Sequence, residues 1–61
     1  MITPNDLIAN CIEIQSDVCY CYYDVEQDKR VIISQSEALE CEINYIYCIN
    51  NVLYIEVSQP D

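Results

Sequence analysis

Two β-rich runs meet at Asn50-Asn51, and this junction constrains the fold more than any other stretch of the chain. Asparagine adopts positive φ more readily than most other non-glycine residues, so the pair can form the tight primed turn of a two-residue hairpin. A turn at this position fixes the strand register, because it sets Ile49 opposite Val52 and Ile46 opposite Ile55. The sequence therefore predicts a β-hairpin around this turn.

Alternation along the hairpin divides its side chains into two faces of different chemistry. The apolar face is predicted to join a core and carries Ile46, Cys48, Leu53, Ile55 and Val57. The other face is predicted to be an aromatic surface with an acidic border and carries Tyr45, Tyr47, Ile49, Val52, Tyr54 and Glu56. One covered face and one open face are the usual condition of an antiparallel sheet.

The N-terminal residues favour a short helix. Thr3 suits the N-cap, Pro4 suits the first helical position, and Asp6 stands where a capping box needs its acid. An apolar stripe follows at helical spacing, formed by Leu7, Ile8, Cys11 and Ile12. These signals predict a helix from 4 to about 12, which is too short to be stable alone and must pack on another element.

The middle of the chain predicts another hairpin. Residues 18–23 are dense in β-branched and aromatic side chains, and a second β-rich run covers 30–35. The polar, acidic residues 24–29 connect the two runs and form the tip of this hairpin.

The segment 36–40 is ambiguous from sequence. It suits a turn of helix capped by Ser34 or Ser36, and it equally suits a loop; we interpret it as a connection. The third strand then covers about 41–49, the fourth covers 52–57, and residues 58–61 form a tail.

These elements predict an α+β fold in one small domain over residues 1–61. A short N-terminal helix packs on a four-stranded antiparallel β-meander made of two hairpins. A chain of 61 residues buries only about 60% of its unfolded surface, so its stability is marginal. The 52% content of hydrophobic residues nevertheless favours a folded core over a disordered acidic tail.

The charge balance limits the partners of the chain. Eleven carboxylates face only Lys29 and Arg30, which gives a formal net charge of −9. Direct nucleic-acid binding is not expected, because it depends on Lys and Arg neutralising phosphates. The same charge attracts basic protein surfaces, whereas the alternative interpretation is a coat that keeps the protein soluble.

No membrane association is expected. The sequence has no apolar run near 18 residues, and its first residues lack the basic start and apolar core of a signal peptide. The predicted compartment is the cytoplasm, and for a phage-encoded protein the cytoplasm of the bacterial host cell.

Five cysteines are many for this length. Cys19 and Cys21 lie two apart on one face of a predicted strand, and Cys41 and Cys48 would have to join them in a four-thiolate zinc site. The sequence has no C-x-x-C pair and no histidine, so reduced thiols that pack as small apolar side chains are the preferred interpretation. No metal and no cofactor are predicted.

The inventory of residues argues against an enzyme. Without histidine the chain has no imidazole general base, and without glycine it has no phosphate-binding glycine loop. The acidic run Asp24-Val25-Glu26-Gln27-Asp28 lacks the glycine and the distal glutamate of an EF-hand loop. We therefore predict a non-enzymatic protein.

Acidic residues alternate in two places. If extended, Asp24, Glu26 and Asp28 form a row with about 6.6–6.8 Å between neighbours, as do Glu40 and Glu42. This spacing is comparable to that of phosphates along a nucleic acid, so such rows can occupy an arginine-rich groove. The residues predicted to bind a partner are Asp24, Glu26, Asp28, Glu40, Glu42 and Glu56 for charge, and Tyr45, Tyr47 and Tyr54 as aromatic anchors.

Two simpler interpretations stay open for these residues. Charged side chains at a sheet edge also deter aggregation without binding anything. Tyr47 opposite Tyr54 stabilises a hairpin by roughly 0.2–1 kcal/mol through cross-strand packing, and the tyrosine face also suits a homodimer interface.

The chain resembles small acidic proteins encoded by phages and other mobile elements, including anti-CRISPR proteins and other nucleic-acid-mimicking inhibitors of host defence. The features that carry the likeness are the length, the charge of −9, and the Asn5-Asp6-Leu7-Ile8 helix leading into a hairpin and an acidic sheet. One class of Cas9 inhibitor is similar in that opening and in being an acidic α/β protein. The resemblance implies a partner with a basic, nucleic-acid-contacting surface, such as a Cas nuclease.

Two functional hypotheses follow. The first is a small acidic binding protein that inhibits a nucleic-acid-binding host-defence enzyme of the CRISPR effector type, by steric blocking and nucleic-acid mimicry. The alternative is a phage or mobile-element accessory protein that forms a homodimer through its tyrosine-rich sheet face and has no inhibitory activity.

Overall fold

The structure is a computed structural model that describes residues 1–10 and 13–60. It contains two short helices and one four-stranded sheet, so the α+β class is confirmed. In chain order the elements are α1 Pro4–Ala9, β1 Asp17–Asp24, β2 Lys29–Ile33, α2 Gln35–Ala38, β3 Ile43–Ile49 and β4 Val52–Val57.

The sheet is mixed and is not the predicted antiparallel meander. Its strand order is β2-β1-β4-β3: both predicted hairpins form, but they join through a parallel pairing of β1 with β4. The physical reason lies in the composition of the strands. β4 is apolar on nearly every position and ends fully buried, as suits a central strand, whereas β2 begins with Lys29-Arg30 and stays largely exposed at an edge.

The turn at Asn50-Asn51 forms as the sequence predicts. Both residues have positive φ, 52° and 66°, as a type I′ turn requires. The register is also confirmed, with Ile49 opposite Val52 and Ile46 opposite Ile55. A bulge between Ile43 and Tyr45 interrupts the pairing at the far end of the hairpin.

Helix α1 has the predicted capping box but is shorter than predicted. Thr3 Oγ1 accepts the Asp6 N–H at 3.2 Å, and Asp6 Oδ2 accepts the Thr3 N–H at 2.9 Å. The helix ends at Ala9, with Asn10 as its C-cap, rather than near residue 12. Of the predicted stripe, Leu7 packs against the core and Ile8 is exposed, while Cys11 and Ile12 lie outside the described residues.

The ambiguous segment after β2 contains a helical turn, so its interpretation as a simple connection was wrong. Ser34 caps α2: its Oγ accepts the Glu37 N–H at 3.3 Å, and Glu37 Oε1 accepts the Ser34 N–H at 3.1 Å. The backbone N–H of Ser34, and its hydroxyl at 2.9 Å, both donate to Glu37 Oε1 and hold the pKa of Glu37 below its usual value. The turn buries Ala38, which is completely covered.

The core lies on one face of the sheet, under the two helices. Ala38, Ile55 and Val57 form its fully buried centre. Partly buried side chains surround it: Leu7, Ile14, Val18, Tyr20, Tyr22, Ile33, Cys41 and Ile43. Ile46 and Cys48 lie on this covered face as predicted, yet both are exposed, because β3 is an edge strand.

Candidate protein-binding surface

The opposite side of the sheet, here called the open face, carries most of the predicted aromatic surface. The pairing registers place these side chains on it: Cys19, Cys21, Tyr23, Arg30, Ile32, Tyr45, Tyr47, Ile49, Val52, Tyr54 and Glu56. Tyr45 is the most exposed tyrosine among the described residues, with 64% of its surface accessible. Tyr20 and Tyr22 point to the covered face instead.

A polar network crosses the middle of the open face. Arg30 on edge strand β2 reaches over β1 to Glu56 on β4, and its Nε donates to Glu56 Oε1 at 3.0 Å. The Tyr47 hydroxyl donates to the same oxygen at 3.2 Å. Glu56 is only 7% exposed, so these two contacts compensate a carboxylate that the sheet has removed from water.

Aromatic and cationic groups stack around this network. The Tyr47 ring lies parallel to the Tyr54 ring, with centroids 5.5 Å apart and an interplanar angle of 11°. Cζ of Arg30 stands 5.4 Å from the centroid of the Tyr47 ring, within reach of a cation–π attraction. Desolvation, with hydrogen bonds to Cys21 and Glu56, raises the pKa of Tyr47 to about 12.

Cys21 lies beneath the network and is fully buried. Its Sγ is 3.7 Å from the Tyr47 hydroxyl oxygen. Burial raises the pKa of this thiol, and a thiol kept protonated is a poor nucleophile and a poor metal ligand. The four described cysteines are free thiols, and the described part of the chain brings no three Cys, Asp or Glu side chains together around a metal-sized site.

The parallel pairing of β1 with β4 gathers acidic residues at one end of the sheet. β1 ends at Asp24 and β4 ends at Val57, while their antiparallel neighbours β2 and β3 begin at the same end. The turn after β1 carries Glu26 and Asp28, and Glu42 directly precedes β3. We call this the acidic end. In a meander, the start of β3 would instead have been at the opposite end from that turn.

A shallow open depression of about 450 Å³ lies on the open face at the acidic end. The residues that line it come from all four strands, the β1–β2 turn and the segment after β4: Tyr23, Val25, Arg30, Asn44, Tyr45, Glu56, Val57, Ser58 and Gln59. Aromatic rings thus border a space into which the Arg30–Glu56 pair also opens. Ser58, predicted to lie in the tail, is held in place, since its N–H donates to the Glu42 carbonyl at 2.9 Å.

The predicted acidic site residues divide into a buried and an exposed group. Asp24 and Glu56 are buried, and Asp24 Oδ1 accepts the N–H groups of Glu26 and Gln27 at 3.0 and 3.3 Å, which fixes the turn. Glu26, Asp28, Glu40 and Glu42 are exposed. Neither acidic row is extended. The β1–β2 turn bends the row of Asp24, Glu26 and Asp28, and Asp28 has φ 52°. The chain also turns between Glu40 and Glu42, before β3 begins.

Arg30 and Tyr23 contribute to this surface but were not among the predicted site residues. In the sequence Arg30 is one of two basic residues in an acidic chain, and its position near the start of β2 gives no sign of a partner on β4. Tyr23 ends the aromatic run of β1, and its place beside Arg30 follows from the hairpin register alone. The β1–β2 register could have placed these two residues side by side, but the contact of Arg30 with Glu56 also depends on the parallel pairing of β1 with β4.

Comparisons with protein-family models, with curated proteins and with solved structures found no match to the chain. Neither described helix is long or apolar enough to cross a membrane.

Proposed function

We propose that the chain is a small acidic binding protein whose acidic end engages a basic surface of a nucleic-acid-binding protein, of the CRISPR effector type, and blocks access of the nucleic acid. The role needs no catalysis. It is exercised in the cytoplasm, where such effectors act.

The observation that carries the proposal is that Arg30 is already engaged in an ion pair within the protein. Its ion pair with the nearly buried Glu56 is the only one among the described residues. The exposed described carboxylates therefore have no basic neighbour in ion-pair contact; they are Asp6, Glu13, Asp17, Glu26, Asp28, Glu37, Glu40 and Glu42. A surface whose charges all have the same sign steers oppositely charged partners towards it.

The depression supplies a place for one uncharged side chain of the partner, because Arg30 already lines it. Tyr23 and Tyr45 offer aromatic surface to that side chain. Both hydrogen bonds to Glu56 use Oε1, so its Oε2 is the acceptor offered to a donor group that enters the depression. Tyr45, exposed at the rim, provides the aromatic area that interface anchors favour.

Competition with nucleic acid follows from charge rather than from matched spacing. Because the acidic rows are not extended, the proposed contact is a cluster of carboxylates at the end of a rigid sheet. Such a cluster occupies a basic groove by sign and shape, and its attraction weakens as salt screens it.

Affinity capture from a bacterial lysate that contains CRISPR effectors tests the proposal. The baits are the wild-type protein, an acidic-end variant with Glu26→Gln and Asp28→Asn, and a control variant with Glu13→Gln and Asp17→Asn. The two variants lose the same charge, and Asp17 starts β1 at the opposite end of the sheet. Asparagine at position 28 keeps the positive φ of the turn accessible.

We expect wild type and control to retain a basic nuclease or its guide complex at low salt, and to release it at high salt. The acidic-end variant should retain much less. Recovery of the bait alone, or equal retention by the two variants, would contradict the proposal.

A further inference from the structure

The two edges of the sheet differ in how they are protected. Edge strand β2 is short and begins with Lys29 and Arg30, the kind of residue that discourages pairing with another strand. Edge strand β3 has seven residues and no charged side chain. Apart from Asn44, its exposed side chains are apolar on both faces: Tyr45 and Ile49 on the open face, Ile46 and Cys48 on the covered face.

The hairpin geometry shows which backbone groups of β3 point outward. Residues flanking a two-residue primed turn form a hydrogen-bonded pair, and such pairs alternate with non-bonded ones along the ladder. Ile49, Tyr47 and Tyr45 therefore direct their N–H and C=O groups to β4, whereas Ile46 and Cys48 direct theirs away from it. Further along, the Ile43 N–H is already used, since it donates to the Ile2 carbonyl at 2.7 Å.

We propose that β3 pairs in antiparallel fashion with β3 of a second copy of the chain, around a two-fold axis at Tyr47. Ile46 of each copy then lies opposite Cys48 of the other, and Tyr45 opposite Ile49. The outward groups of Ile46 and Cys48 form about four backbone hydrogen bonds across the axis. The two sheets become one continuous sheet of both copies.

The register follows from the chain itself. Residues whose N–H and C=O groups point away from β4 must pair with residues of the same kind in the other copy. The two-fold axis can therefore lie at Ile46, Tyr47 or Cys48. An axis at Ile46 brings Ile49 of one copy against Ile43 of the other, where Ile2 already lies. An axis at Cys48 sets Ile46 and Tyr45 against the polar turn Asn50-Asn51. Only the axis at Tyr47 covers each exposed apolar side chain of one copy with another.

The neutrality of β3 itself favours a second copy as the occupant, although each copy carries a net charge of −9. β3 contributes no carboxylate to the contact, and the acidic turn between β1 and β2 belongs to the opposite edge of the sheet. A neutral, apolar strand is complementary to itself, whereas a basic partner would find no carboxylate along it. The interface differs from a packing of tyrosine faces. It is inferred without the proposed function, with which it shares Tyr45.

Residue-resolved amide hydrogen exchange at increasing protein concentration, with sedimentation to follow assembly, tests the pairing. We expect a concentration-dependent dimer in which the amides of Ile46 and Cys48 gain protection. The amides of Tyr45 and Tyr47, bonded to β4, should be protected at every concentration. A chain that stays monomeric up to millimolar concentration, or a dimer in which the Ile46 and Cys48 amides exchange as in the monomer, would overturn the proposal. Protection of these two amides only when a different protein is added would do the same.

Two substitutions separate pairing from folding. Ile46→Pro removes an outward N–H, which an edge strand tolerates, and Cys48→Asp places a charge opposite Ile46 of the other copy. Each should weaken the dimer by at least tenfold and leave the monomer folded by circular dichroism. The control Ile32→Asp puts the same charge on a 62% exposed site of edge strand β2 and should leave the dimer unchanged. Equal dimerisation of Cys48→Asp and wild type would contradict the assigned edge.

Discussion

Arg30 and Glu56 lie on non-adjacent strands, and a single 3.0 Å hydrogen bond from Nε to Oε1 joins them across β1. The arginine side chain is 59% exposed and the glutamate side chain only 9%, so the pair couples a surface charge to one that the sheet has buried. Removing the arginine leaves the buried carboxylate without its cation. An uncompensated buried charge strongly destabilises a fold.

Arg30→Met should therefore lower the free energy of unfolding more than Lys29→Met does. The two substitutions remove the same charge from neighbouring residues of β2, but only Arg30 contacts Glu56. Urea unfolding of both variants and wild type measures the difference. The double variant Arg30→Met with Glu56→Met should recover part of the loss, because it leaves no uncompensated buried charge. Equal stability of the two single variants would show that the pair contributes nothing.

The hydroxyl of Tyr47 should ionise far above the range of ordinary phenols. Burial and its contacts raise its pKa to about 12, whereas an unfolded tyrosine ionises near pH ~10. Since the folded pKa is the higher one, the folded state holds this proton more tightly. Its contribution to stability is present below pH ~10 and is lost as the pH rises towards 12.

Ultraviolet titration of wild type against Tyr47→Phe measures this ionisation. The difference between the two curves should have its midpoint near pH 12, and between pH ~10 and 12 wild type should lose more stability than the variant. A difference curve centred near pH 10 would mean that the hydroxyl is accessible to water.

The cysteines should differ sharply in their reactivity. Cys21 is buried with a raised pKa, while Cys48 is exposed at the edge of the sheet. Iodoacetamide followed by mass spectrometry, in dilute protein at neutral pH, should modify Cys48 at least tenfold faster than Cys21, because the thiolate is the reactive form. In urea the two rates should converge. Equal rates in the folded protein would contradict the burial of Cys21.

The turn at Asn50-Asn51 should tolerate glycine and resist alanine. Asn51 has φ 66°, a conformation that costs a residue with an ordinary Cβ about 1 kcal/mol or more. Asn51→Ala should therefore lower the free energy of unfolding by about that amount, while Asn51→Gly should leave it nearly unchanged. Thermal unfolding of both variants checks the prediction. Equal losses of stability in the two variants would show that the positive φ at this position does not disfavour alanine relative to glycine.

Local signals in the sequence predicted the four strands and the start of helix α1, but they left helix α2 ambiguous and did not reveal the non-local pairing. The capping box of Thr3 and Asp6 and the asparagine turn act over a few residues, so both were predictable. The order of the hairpins depends instead on which strand gains most from a central position. That competition between β4 and β2 depends on comparing the composition of distant strands, apolar in β4 and basic at the start of β2, which no local pattern does.

The site shows the same division. Alternation in the second hairpin correctly placed Tyr45, Tyr47 and Tyr54 on one face. The burial of Glu56 and its pairing with Arg30 depend on the parallel neighbour β1, and so does the meeting of Glu42 with the acidic turn at one end of the sheet. The acidic rows required an extended chain, whereas the predicted hairpin tip over 24–29 already implied that the first row bends.

The most direct test of the acidic end is its association with guide-loaded Cas9 on a biosensor, at about 50 mM and about 500 mM salt, with target DNA as competitor. We predict an association rate that falls at least tenfold at high salt, and a loss of binding when the DNA occupies the groove. The variant Glu26→Gln with Asp28→Asn should associate more slowly than the control Glu13→Gln with Asp17→Asn. No association at low salt would exclude Cas9 as the partner, and a rate that ignores salt or simultaneous binding of protein and DNA would contradict the proposed function.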